Sequence, residues 1–269
     1  MQEKFAHKKS LGQNFLNSDY VPIKMCDAAN LQAGETVLEI GPGTGALTKE
    51  ILKRDARVIA IEADARAVTS LEESFSNEIA SGQLTLHHHD ARSLNLADFG
   101  LTNQTFKVVS NIPYYLSGFL FRTLLDSKCQ PNTLVFLIQK EVAERIARDK
   151  KESLLSLSVK VFGEPTYICT VSKSHFTPPP KIDSAIVAVN KINRDIFSNF
   201  TSKQFFHILH LGFAQKRKQL VGNLAKEFPR ETVSEILTRL ALPLDVRAED
   251  IPLDTWINVV NSLLTVKTI

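Results

Sequence analysis

Residues 37–46 read VLEIGPGTGA, and the rest of the chain can be arranged around them. Val37, Leu38 and Ile40 make a short apolar run of the kind buried in a parallel strand. Gly41-Pro42-Gly43-Thr44-Gly45 then turns sharply, and Ala46–Lys53 (ALTKEILK) continues with helical spacing. A strand, a glycine-rich turn and a helix start together make a ligand cradle. Glycine admits close backbone approach, and the first free N–H groups of a helix attract negative charge. A tight turn with no ligand is the plainer alternative, and three glycines in five positions weigh against it.

Working outward, Arg57–Glu62 (RVIAIE) reads as a second buried strand, with a helix over Ala65–Phe75. Leu84–His89 (LTLHHH), Phe106–Ser110 (FKVVS) and Leu134–Ile138 (LVFLI) read as three more strands, the last followed by a charged helix, Lys140–Asp149. Strands alternating with helical patterns imply βαβ units and a mostly parallel sheet, an α/β fold. Glu62, Asp90 and Asn111 each fall just past a strand end, the edge of such a sheet where ligands sit. Upstream, Asp19–Asn30 is a predicted helix with Asp19 as its cap and Gly34 as the break after it. Downstream, Pro178-Pro179-Pro180 makes a rigid extended loop between late strands at Tyr167–Val171 and Ala185–Val189, expected to pair as an antiparallel hairpin. From about Arg194 the pattern is helical only: Ser202–Phe213, Gln215–Phe228, Glu231–Leu240 and Leu253–Leu264, punctuated by Pro229, Pro243 and Pro252. The expected organisation is a larger domain over 1–193 and a small all-α domain over 194–269.

Composition narrows the class without naming it. The 269 residues suit one large domain or a large and a small one. No apolar run approaches the roughly 18 residues of a membrane span. The opening MQEKFAHKKS has charges but no apolar stretch behind it, so no secretory signal is expected. Cys26, Cys129 and Cys169 are odd in number and far apart, which fits a reducing compartment and a cytoplasmic protein. The net charge of +3 permits a nucleic-acid partner without requiring one. No long exposed apolar helix is evident, and a monomer is expected.

Gly41, Gly43 and Ala46 match the dinucleotide fingerprint, with Glu62 roughly 20 residues on. The same residues read as GxGxG, the pattern associated with S-adenosylmethionine (SAM), so local spacing leaves NAD and SAM both open. Either ligand has an adenosine whose ribose hydroxyls Glu62 can accept and whose amino group Asp90 can accept; a helix cap is the plainer role for Asp90. Asn111-Ile112-Pro113-Tyr114 decides between them. A side-chain amide, a proline-fixed carbonyl and an aromatic ring have no use in hydride transfer. They suit methylation of a planar exocyclic amine: the Asn111 oxygen and the Ile112 carbonyl accept its N–H groups, and Tyr114 stacks on the base. His87, His88 and His89 alternate across a strand and cannot converge on one ion, so no metal is expected.

Over nearly the whole chain the sequence resembles the ribosomal RNA adenine dimethyltransferases of the KsgA (RsmA) type, with the Erm enzymes closely similar. The stretches that carry this are KKSLGQNFL, VLEIGPGTGALT, VIAIE, NIPYYLSG, QKEVAERI, FTPPPKIDSAIV and FAQKRKQLVGNL. The resemblance implies a class I SAM-dependent methyltransferase fold with a helical C-terminal domain. It also implies two successive methyl transfers to each of two adjacent adenines of 16S rRNA, within the 30S subunit or its precursor. Carried over by position, Asn14, Leu16, Gly41, Gly43, Glu62, Asp90 and Asn111 would hold SAM. Tyr114 would face the target adenine beside Asn111, Ile112 and Pro113, with Phe176 on its other side. Lys8, Lys9, Lys216, Arg217 and Lys218 would contact RNA. One departure stands out: the family has a small residue such as Gly before the acid, where this chain has His89 before Asp90. An Erm-type enzyme acting on 23S rRNA, a non-catalytic assembly or transcription factor on the same fold, and a distant NAD dehydrogenase are the competing expectations.

Overall fold

The structure, a computed structural model, describes residues 14–267, so Lys8 and Lys9 lie outside the described residues. The chain forms two compact units. One comprises the residues up to Glu144 together with Glu164–Ile192; the other comprises Arg145–Gly163 and the residues from Asn193 on. Arg145–Gly163, which the sequence reading placed in the first domain, therefore groups with the helices.

The strands are β1 (Phe15–Leu16), β2 (Thr36–Ile40), β3 (Arg57–Glu62), β4 (Leu84–His88), β5 (Phe106–Asn111), β6 (Thr133–Gln139), β7 (Glu164–Val171), β8 (Phe176–Thr177) and β9 (Ser184–Asn190). In the first unit seven of them form one sheet in the order β4-β3-β2-β5-β6-β9-β7. β4 to β6 pair parallel, while β9 runs antiparallel to both β6 and β7. The predicted strands all form, within one or two residues at most ends. The central ones read as unbroken apolar runs because both faces are covered: Val108, Val109, Val135, Leu137 and Ile186 are all fully buried. The late pair is antiparallel as expected, but is joined through a short helical turn, Lys173–His175, and β8. β8 pairs antiparallel with β1, a two-residue ribbon with too little periodicity to be read from sequence.

Strand order reverses between β2 and β5, and there the ladder stops early. Thr36, Val37 and Leu38 pair with Phe106, Lys107 and Val108; beyond them the Ile40 N–H donates to the Ser110 side chain at 2.8 Å. A hydroxyl thus satisfies the backbone group where the strands part, and a crevice opens at their C-terminal ends.

After β2 the chain turns through Gly41, Gly43 and Gly45, whose φ angles of +72°, +58° and +78° are left-handed. The helix Ala46–Leu52 starts directly from Gly45 and buries Leu47, Ile51 and Leu52. Each such side chain contributes about 1.5–3 kcal/mol when removed from water. A methyl group at Gly45 would meet the Phe75 ring at 2.5 Å and Leu71 at 3.0 Å, so this glycine also lets two helices approach. The helix Tyr20–Ala28 forms as predicted, but Asp19 makes no side-chain cap; its backbone carbonyl accepts from the Ile23 N–H instead.

The second unit contains the helices Leu154–Lys160, Ser202–Gly212, Leu220–Leu224, Arg230–Arg239 and Leu253–Lys267. Thr201 and Gln204 cap the second of these reciprocally, as do Ser153 and Ser156 the first. Fully buried Trp256 stacks on Phe213 and donates its indole N–H to the Ala248 carbonyl at 3.2 Å. The predicted helix over Gln215–Phe228 is cut down to Leu220–Leu224. Asn223 explains the cut: its amide nitrogen is within 2.6 Å of the Gly212 carbonyl and 3.2 Å of the Gln215 carbonyl, folding the intervening chain into a turn.

Gly45→Ala is expected to lower the unfolding free energy by about 2 kcal/mol, through the left-handed backbone and the clash with Phe75. Urea denaturation of variant and wild type measures this directly.

Candidate active site

The crevice is an open cavity with about 1010 Å³ of space free of protein atoms, its mouth included. Asn14, Leu16, Gly41, Gly43, Glu62, Asp90, Asn111, Ile112, Pro113 and Tyr114 all line it. Ten of the sequence-predicted residues therefore meet in one place, from segments spread over a hundred residues.

Glu62 organises one side. As the last residue of β3 it is 6% exposed, and its two carboxylate oxygens accept the N–H groups of Gly43 at 3.0 Å and Asp64 at 2.9 Å. Burial pushes its pKa up, and these backbone N–H groups act against the rise. Each oxygen keeps a further lone pair, which suits a pair of hydroxyl donors such as a ribose. Gly41, whose N–H donates to the Ile61 carbonyl at 2.8 Å, has open space where a side chain would be. An adenosine-bearing ligand fits this cradle on both counts.

Sequence reasoning missed Glu39. It is 1% exposed, lines the cavity, and accepts a hydrogen bond from the Thr48 hydroxyl at 2.6 Å. Burial raises its pKa to about 8, with the neighbouring Glu62 charge pushing the same way and Thr48 opposing. The signal was present: an acid inside the apolar run VLEI is out of place in a buried strand unless something partners it.

On the other side stands the segment after β5. The Asn111 Nδ2 donates to the Asn14 carbonyl at 3.2 Å, which leaves Oδ1 as the end offered to an incoming donor. Ile112 is buried, and the Pro113 carbonyl accepts the Leu116 N–H at 2.9 Å, closing the turn. Tyr114 shares a 2.7 Å hydrogen bond with the buried Ser184 hydroxyl on β9, and burial pushes its phenol pKa up. The ring is thereby anchored at its far end with a face left for the cavity.

Asp90 caps the helical turn Ala91–Ser93 and also lines the cavity. It accepts the Arg92 N–H at 2.9 Å, and both carboxylate oxygens are held by the Arg92 guanidinium, the shortest contact being 2.6 Å. That side-chain hydrogen bond holds its pKa below the ordinary value. Asp64-Ala65-Arg66, after β3, uses the same device with a 2.6 Å ion pair. The histidines have separate tasks. His87 and His89 set their rings edge-on against Phe99 at 4.9 and 5.6 Å, while His88 meets the Ala63 carbonyl at 3.3 Å. Among the described residues, no group of three or more His, Cys, Asp or Glu is arranged to hold a metal ion.

Phe176 does not join the others. It is 2% exposed, belongs to the hydrophobic core, and is not part of the cavity lining; in the β8–β1 ribbon it pairs with Leu16. Lys216, Arg217 and Lys218 belong to the second unit, where they are exposed on the turn that Asn223 ties down and not along a helix.

A cradle for adenosine facing an amide, a fixed carbonyl and a ring across a parallel-sheet crevice leaves one chemistry coherent: this is a Rossmann-like, SAM-dependent methyltransferase. A family model described as ribosomal RNA adenine dimethylase matches residues 4–264, and the chain belongs to that family. A relative from Dehalococcoides mccartyi named ribosomal RNA small subunit methyltransferase A is 36% identical over 252 residues, spanning 93% of this chain and 86% of the relative. The crystal structure of a dimethyladenosine transferase from Plasmodium falciparum aligns with a TM-score of 0.78 at 25% identity, covering 94% of this chain and 98% of that one. The crystal structure of the 23S rRNA methyltransferase ErmE shares the fold, with a TM-score of 0.72 at 22% identity over 93% of this chain and 99% of that one.

Because Glu39 has a raised pKa, it holds a proton in the folded protein that the unfolded chain releases near 4.5. Stability from this group is full below that value and lost as pH rises through about 8. Glu39→Gln still offers Thr48 an acceptor and cannot ionise. The drop in unfolding free energy between about pH 5 and about pH 9 is expected to be smaller in this variant than in wild type. Denaturant titration at the two pH values checks it, and equal drops would contradict the assignment.

Proposed function

We propose that this chain dimethylates the exocyclic amine of two adjacent adenines in a 16S rRNA loop during 30S subunit biogenesis. The observation that carries this reading is the Asn111 amide, whose nitrogen is tied to the Asn14 carbonyl so that its oxygen is the end presented. An adenine amine is a poor nucleophile because its lone pair is delocalised into the ring. Acceptance of its N–H groups by Asn111 Oδ1 and the Ile112 carbonyl favours a more tetrahedral nitrogen and frees the lone pair. Tyr114, steadied by Ser184, stacks on the base once it has left its loop.

SAM supplies a methyl group made electrophilic by a sulfonium. Asn14, Leu16, Gly41, Gly43 and Glu62 would hold it, with Asp90 accepting the adenine amino group. Positioning of amine and methyl in line supplies much of the catalysis, and no covalent enzyme intermediate is required. The proton leaves after the nitrogen becomes cationic, so no side chain is assigned as a general base. Lys216, Arg217 and Lys218, together with Lys8 and Lys9, meet rRNA phosphates, and such contacts weaken as salt rises. The protein acts as a monomer in the cytoplasm; among the described residues no helix is long and apolar enough to cross a membrane.

The small subunit is preferred over the large one because the relative at 36% identity bears a small-subunit name, whereas ErmE shares the fold at 22%. With tritiated SAM, unmethylated 30S particles are expected to accept label and 50S particles to remain unlabelled. Asn111→Ala is expected to abolish labelling of 30S particles with an unchanged thermal melt. Full dimethylation by that variant would remove Asn111 from the mechanism.

A further inference from the structure

Two aromatic rings on and beside the cavity lining face solvent. Tyr115, which lines the cavity beside Tyr114, is 61% exposed, and Phe119 is 43% exposed. They are four residues apart, across the junction of the helical turn Tyr114–Leu116 and the helix Ser117–Leu125. That spacing brings side chains to one face. Neither ring packs on another aromatic ring among the described residues. Arg92 also lines the cavity and is 69% exposed at its side chain, its guanidinium bonded to both carboxylate oxygens of Asp90. Arg92 and Tyr115 line the same cavity.

Isolated exposed apolar side chains are ordinary and need no explanation. An exposed ring and an exposed guanidinium that both line a base-accepting cavity, with a second exposed ring four residues on, are a different matter. Unpaired bases in RNA loops are held by stacking on aromatic faces and on arginine planes. We infer that Tyr115, flanked by Phe119 and Arg92, is a second stacking platform that holds the nucleobase adjoining the target adenine. The occupant follows from continuity: Tyr114 and Tyr115 are consecutive residues, so a base against Tyr114 leaves its neighbour in the RNA chain within reach of Tyr115. This inference rests on the proposed function, and it gives Tyr115 a role in substrate hold that is separate from Asn111 and Tyr114.

The test is steady-state methylation of unmethylated 30S particles by Tyr115→Ala, Tyr115→Phe and Tyr115→Leu, with SAM affinity measured separately by calorimetry. Stacking on a single aromatic side chain is worth enough to change KM about tenfold. Tyr115→Ala is expected to raise KM for 30S by about that factor, more than it lowers kcat, with SAM affinity within about twofold of wild type. Tyr115→Phe, which keeps the ring, restores KM; Tyr115→Leu, which keeps bulk without a π-face, does not. An unchanged KM in Tyr115→Ala, or equal rescue by Leu and Phe, overturns the platform while leaving the proposed function intact. Absence of 30S methylation by the wild-type protein overturns both.

Discussion

The Gly43 N–H donates to the Glu62 carboxylate, and much of the first unit depends on that bond. It fastens the turn after β2 to the last residue of β3. The turn is left-handed at three glycines, so few other residues could follow the path. Glu62 is buried against its own preference for water, and the N–H groups of Gly43 and Asp64 offset that cost. A carboxyl group is thereby fixed at a strand end with lone pairs to spare.

The second constraint is the parting of β2 and β5. Parallel strands pair continuously unless something takes over their hydrogen bonds, and here the Ser110 hydroxyl does so for Ile40. The strand ends then separate enough to admit a ligand, with Glu39, Glu62 and Asn111 all lining the space between them. Asn111 closes the arrangement by reaching back to Asn14, which ties the entry of the chain to the far side of the crevice. The glycine turn and the Asn111 segment meet in one crevice because strand order reverses at this point.

Most of the sheet was legible because buried parallel strands advertise themselves as apolar runs, and RVIAIE is a strand from its first residue to its last. The cavity residues were legible because strand ends and glycines mark where ligands sit. What escaped the reading depends on contacts distant in sequence. The β1–β8 ribbon spans about 160 residues and is two residues long, and Phe176, which lies in the core, belongs to it. The helix after Gln215 was overestimated because helical spacing continues through the turn, while the Asn223 amide that cuts it short acts only in three dimensions. Arg145–Gly163 looked like part of the α/β segment by position alone; the ring contacts of Phe162 with Phe197 and Phe206 join it to the helical unit. Glu39 was visible as an anomaly, but its partner Thr48 was not.

GPGTG by itself suits any adenosine ligand, and in the proposed reaction it is the segment after β5 that makes the crevice a methyl-transfer site. In the proposed reaction, adenines of small-subunit rRNA receive the methyl groups. Mass spectrometry of 16S rRNA from cells with and without this protein tests it most directly. The prediction is two adjacent dimethylated adenines that disappear when the protein is absent. The same dimethyladenosine content in both samples would contradict it.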